Sequence, residues 1–170
     1  MTTSWIIGQL LGVVAIILGV ISYQVKTDKK LLFVIMMNGA VFAAHYYLLD
    51  AMPAAVMNTV GVFRCIVYMQ KDKKFYHPVI IPAVFAVIMG TLGMLSWQGP
   101  ESILVIVGLV INTVCLSFKN PQNIRKSILV TSPLVLAYDA FAGSIGGVIY
   151  EAMVIVSSII GIVRYRKENK

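Results

Sequence analysis

The sequence predicts an all-α integral membrane protein. Seven transmembrane helices form two parallel three-helix repeats joined by one linker helix, a 3+1+3 plan. Three observations predict it. The 170 residues are 59% hydrophobic and 12% charged, with a mean hydropathy of +0.86, whereas soluble domains carry about 25% charged residues. The apolar residues gather into seven runs, each near the ~20 residues needed to cross ~30 Å of hydrocarbon. The basic residues fall almost wholly in alternate connections. Too little polar sequence is left for an extramembrane domain.

Taken in order, the runs are Ser4–Val25, Leu31–Leu49, Pro53–Met69, Pro78–Trp97, Ser102–Phe118, Ser127–Ala142 and Ile145–Val163. The first is expected to be a permanent span and not the apolar core of a removable signal: Met1 to Trp5 has no Lys or Arg, and Lys26, Lys29 and Lys30 follow it. Pro53 and Pro100 suit first helical turns, where a missing N–H costs nothing. Pro133 interrupts the sixth run and is expected to kink it. The units expected are 1–76, a first three-helix bundle; 77–98, the linker; and 99–170, the second bundle with a short tail.

Orientation follows from charge. The first, third and fifth connections and the tail hold Lys26, Lys29, Lys30, Lys71, Lys73, Lys74, Lys119, Arg125, Lys126, Arg164, Arg166, Lys167 and Lys170. Only Arg64, near the same end of the third run, completes the set of 14. The other side shows Asp50, Glu101 and Asp139. The positive-inside rule therefore puts the N-terminus outside and the C-terminus in the cytoplasm. Trp5 and Trp97 fall at the outer interface as anchors. The basic residues set topology, so the net charge of +7 does not point to nucleic acid.

A weak internal repeat supports the 3+1+3 plan. Ser22-Tyr23 and Ser117-Phe118 each precede a basic connection, Tyr46 and Tyr138 end the second and sixth runs, and Pro53–Thr59 parallels Ile145–Glu151. Two like-oriented three-helix units need an odd number of helices between them, which the fourth run supplies. Parallel repeats with a site at their interface are one transporter plan.

With Pro121-Gln122 after the first helix of the second repeat, the arrangement resembles the PQ-loop superfamily of SWEET and PnuC transporters; the first repeat keeps Gln24 but lacks the proline. A resemblance over nearly the whole chain is to the YgjV-like family of small bacterial inner-membrane proteins. It rests on Ser22-Tyr23-Gln24, His45-Tyr46-Tyr47-Leu48-Leu49, Pro53-Ala54 with Asn58 and Arg64, and Ala142-Gly143-Ser144-Ile145-Gly146-Gly147 with Glu151. The SWEET resemblance implies that asparagines on the third and seventh helices contact substrate. Asn58 fits, and Glu151 departs by carrying an acid, which argues against a neutral sugar.

The candidate substrate-binding residues are Glu151, Asn58, His45, Asn38, Tyr138 and Asp139. An Asp at a helix centre costs about 2.5–3.5 kcal/mol to insert, so such acids face a cavity or a partner. Asn38 and His45 are two turns apart on one helix face. Asn58 and Glu151 lie roughly 8 and 9 Å below the outer ends of their helices at ~1.5 Å per residue. Convergence on a central cavity is the functional expectation; helix-to-helix hydrogen bonding is the structural one, with His45 at the headgroups. Pro133, Pro121, Gln122, Gly143, Gly146 and Gly147 are read as gating or packing residues, and Gly8 and Gly12 as a close-approach stripe. Arg64 is expected to snorkel or pair locally. Cys65 and Cys115 read as buried free thiols.

No Ser-His-Asp set shares a depth, two histidines make no metal cluster, and there is no nucleotide loop. The expectation is therefore no enzyme, no cofactor and no metal, with lipid and a small polar or cationic solute as partners and a homo-oligomer left open. Two functions remain: a solute carrier working by alternating access, and a non-transporting subunit or scaffold.

Overall fold

The computed structural model describes residues 3–24, 28–117 and 121–168, with side chains described throughout except at 22–24, 28, 121–124 and 164–168. Seven helices account for almost all of it: α1 (Thr3–Gln24), α2 (Asp28–Leu48), α3 (Met52–Tyr68), α4 (Ile80–Leu95), α5 (Ser102–Cys115), α6 (Pro121–Phe141) and α7 (Ile145–Glu168). No strand occurs among the described residues. α1, α2 and α7 are long and apolar enough to cross a membrane, and α3, α4 and α5 are shorter apolar helices.

Each helix corresponds to one expected run, with shifted ends. α6 begins at Pro121, six residues before the expected Ser127, because proline fits a first helical turn and the polar Asn123-Ile124-Arg125-Lys126 contains good helix formers. The Pro121-Gln122 pair thus opens a helix; the side chains of this pair lie outside the described residues. α7 runs on to Glu168 because its Arg/Lys/Glu end also favours helix. Pro133 sits inside α6 with an exposed side chain, and the helix continues through it.

Consecutive helices pack as antiparallel neighbours: α1 on α2, α2 on α3, α5 on α6 and α6 on α7. α1 also packs on α7, and α3 on α5, so six helices close a ring. α4 lies outside this ring against α3 and α5. Large apolar side chains point outward on every helix, among them Leu10, Phe63, Val87, Leu95, Val130 and Ile160. Apolar surface on that scale requires a nonaqueous surrounding.

The α2–α3 and α6–α7 corners are built alike. Asp50 and Gly143 hold left-handed φ angles of 59° and 66°. Ala51 N–H donates to the Tyr46 carbonyl and Asp50 N–H to Tyr47; likewise Ser144 donates to Asp139 and Gly143 to Ala140. These are the two crossed bonds of a Schellman ending. Ala55 to Ala51 and Val148 to Ser144 then start the next helices in the same way. The corner register pairs Tyr46 with Asp139, 93 residues apart, and so pairs Asn58 with Glu151. At the same end, the Gln98 amide clamps the α4–α5 turn to the first corner: Oε1 accepts from Met52 N–H and Nε2 donates to the Asp50 carbonyl. At the opposite end, Lys29 and Asp72 form an exposed ion pair at 2.9 Å, and Lys29 holds the Asp72 carboxyl below the usual carboxylate range.

Candidate functional site

Polar groups collect where α6 turns into α7. Ser144, the residue before α7, accepts a hydrogen bond from Gly147 N–H at 3.0 Å, as a helix N-cap does. Its hydroxyl lies 2.7 Å from His45 Nε2, and His45 Nδ1 lies 2.6 Å from the Gly8 carbonyl. A carbonyl only accepts, so Nδ1 carries the proton, and with one ring proton the imidazole takes the Ser144 O–H at Nε2. The chain Gly147, Ser144, His45, Gly8 thus has one direction and joins α7, α2 and α1. His45 is fully buried in this network.

Beside it, the Tyr46 hydroxyl donates to Asp139 Oδ1 at 2.6 Å. Asp139 is 0% exposed, and its other oxygen, Oδ2, is buried with no hydrogen-bond partner. Gly147 gives this carboxylate room: a Cβ there would stand 2.5 Å from Asp139 Oδ2 and from Ser144 Oγ. The carboxylate therefore lies against the first turn of α7, where unpaired N–H groups and the helix dipole favour negative charge. A cleft of about 200 Å³ opens beside it, lined by Asp139, Gly143, Ser144, Ile145 and Val148 among others. α1 comes close enough to complete the corner only because Gly12 meets Gly146; a Cβ on Gly146 would be 2.6 Å from Gly12 Cα.

An aromatic group fills the ring interior next to this corner. Phe42 stacks on Tyr46 and meets Tyr150 edge-on, and Tyr138 lies 6.5 Å from Tyr46. The Tyr138 hydroxyl reaches the Ala54 backbone on α3. Nearly two turns into α7, half-buried Glu151 is hydrogen-bonded to Ser132 of α6 and lies within electrostatic range of Asp139 and Tyr46.

Of the residues expected from sequence, His45, Asp139, Tyr138, Gly143, Gly146 and Gly147 are thus gathered at one corner, with Glu151 just inside it. Asn38 is buried two turns away on α2, where its amide donates to the Ala15 carbonyl of α1 at 2.7 Å. Asn58 donates to Ala54 of its own helix. Sequence reading missed Tyr46 and Ser144 as members of the site. Ser144 carried a signal, a hydroxyl residue between a glycine turn and an apolar helix; Tyr46 was noted only for ending its run as Tyr138 ends the sixth.

Arg64 does not snorkel. It is 5% exposed, and Nη1 donates to Thr113 Oγ1 of α5 at 2.6 Å. Cys65 and Cys115 are free and buried, and no group of metal-ligating side chains forms among the described residues.

Helices that expose hydrocarbon side chains all round, six of the seven described ones apolar, and that bury Asp139 between them define a membrane protein of the multi-helix class. Residues 6–169 match the Imp-YgjV family, described as "Bacterial inner membrane protein", and the chain belongs to that family. It is 22% identical over 170 residues to "Inner membrane protein YgjV" of Escherichia coli (strain K12), covering 100% of this chain and 90% of that one. No solved structure matches.

Proposed function

We propose that this protein carries a small polar or cationic solute across the bacterial inner membrane, by rocking of two parallel three-helix units, α1–α3 and α5–α7, joined through α4. The N-terminus lies outside and the C-terminus in the cytoplasm, as the basic connections require. Three features support the repeat: the two corners share their hydrogen bonds, α4 stands outside the ring, and the α1–α7 and α3–α5 contacts exchange if α1 answers to α5 and α3 to α7. This is the parallel-repeat plan of the SWEET and PnuC group, in which a site sits at the repeat interface.

The observation that carries the transport reading is the Asp139 carboxylate. It is fully buried, one oxygen is unsatisfied, and Glu151 stands near it. No basic side chain is bonded to either acid among the described residues. Two acids without a cation are costly in a bilayer unless a cationic group or a proton visits them. The Tyr46–Asp139 bond then serves as the outer gate, backed by Phe42, Tyr138 and Tyr150.

Purified protein in proteoliposomes tests this with labelled methylammonium, choline and putrescine, and with an entrapped pH dye for proton flux. Wild type should move at least one of these above empty liposomes. Glu151→Gln and Asp139→Asn should keep the fold and cut flux about tenfold or more, the loss expected for one charge-assisted hydrogen bond of about 1.5–3 kcal/mol. The scaffold reading is favoured by Asn38 and His45, both bonded between helices. It takes over if neither proton nor any probe crosses in wild type.

A further inference from the structure

We propose a second ligand site in the ring: an oxyanion-binding pocket at Arg64, on the α3 face that meets α5, open to a phosphate or carboxylate group. Arg64 is an uncompensated charge. It is 5% exposed, and its one hydrogen bond among the described residues goes to a neutral hydroxyl, Thr113 Oγ1. That hydroxyl lies 2.8 Å from Leu109 O and 2.9 Å from Met89 Sδ, so its own proton is directed away from the guanidinium. No carboxylate bonds Arg64 there. A buried cation without a partner is strongly destabilising, which makes a counter-ion part of the site.

The donor geometry matches an oxyanion. Arg64 Nε is buried with no acceptor. Nη1 is committed to Thr113, which leaves the Nε–Nη2 edge of the guanidinium as a two-donor fork of the kind that grips carboxylate or phosphate. Space lies beside that edge. Gly61, one turn before Arg64, is buried, yet beyond its chain neighbours and its own helix backbone a Cβ built there meets only Arg64 Nη2, at 3.8 Å. A buried position with nothing else within 4 Å is a gap in the packing, and it borders the unused donors.

Depth argues for a soluble anion. The guanidinium lies level with Gly61, seven residues or about 10 Å from the Tyr68 end of α3. Lipid phosphates stay outside the ~30 Å hydrocarbon layer. Below the pocket, the Tyr68 hydroxyl donates to the Thr113 carbonyl, Tyr76 packs edge-on against Tyr68, and Lys71 sits 5.4 Å from the Tyr68 ring centre. Lys71 is placed to draw anions toward that floor.

The test is thermal unfolding of the full chain in nanodiscs of neutral lipid, titrated with inorganic phosphate or acetate against chloride at equal ionic strength. Wild type should show a saturable rise of about 3–6 °C at ten times the dissociation constant. Arg64→Gln should lose it. Because that variant could fold poorly, Gly61→Val supplies the second arm: it keeps Arg64, fills the gap, and should abolish the anion-dependent rise while leaving the melting temperature in chloride unchanged or higher. A rise in anionic-lipid nanodiscs alone, lost in both variants, would keep the oxyanion chemistry and assign it to a headgroup. Absence of any anion-specific rise in wild type, or an equal rise in both variants, overturns the site.

Discussion

At the scale of single residues, the corner depends on atoms that are missing. Gly146 and Gly12 meet backbone to backbone, so neither side can yield by turning a side chain. Gly146→Ala should cost about 1–3 kcal/mol, the usual range for overpacking, and at the upper end of it. Gly90→Ala in α4, where a Cβ meets nothing within 4 Å, should leave stability unchanged or raise it by up to about 1 kcal/mol. Thermal unfolding in detergent compares the two; equal losses would mean that the α1–α7 approach is looser than the structure has it. Asp139, His45 and Glu151 were legible in the sequence because polar groups inside apolar runs are conspicuous. Their partners were not, because Tyr46 and Asp139 are 93 residues apart and meet only when the ring closes. Of the two expectations for Arg64, snorkelling failed for a directional reason, while a local partner, Thr113, was found. Helical side chains lean toward the N-terminus, so Arg64 rises toward Gly61 and away from the nearer membrane surface.

Elements were legible as far as hydropathy reached. All seven apolar runs became helices, and the early start of α6 escaped notice because its first residues are polar. The two corners carry a difference that can be measured. The left-handed position is glycine in one, and in the other it is Asp50, which bears a Cβ that such a backbone disfavours. Asp50→Gly should therefore stabilise the protein by about 0.5–1 kcal/mol. Gly143→Asp should destabilise it by a similar amount. The Gln98 clamp uses the Asp50 carbonyl and survives the first change. A loss of stability in Asp50→Gly would show that the carboxylate itself holds the corner.

At the scale of the molecule, topology is the most accessible test. Membrane-impermeant maleimide added to intact spheroplasts should label Asp50→Cys and Glu101→Cys, and leave Lys73→Cys and Lys126→Cys unlabelled until the membrane is opened. Cys65 and Cys115 are buried and should stay silent as background. Labelling in the reverse pattern would invert the proposed orientation and place the Asp139 corner in the cytoplasm. The Tyr46–Asp139 bond has one more implication. Were the two proposed three-helix units separate copies of one short chain, a residue on the two-fold axis relating them would face itself, tyrosine on tyrosine or aspartate on aspartate. Written once in a single chain, the same two places can differ, and one offers a proton where the other offers a lone pair. In the proposed two-repeat plan, covalent fusion of the halves is what would permit an unlike couple to stand on an axis that symmetry would otherwise reserve for twins.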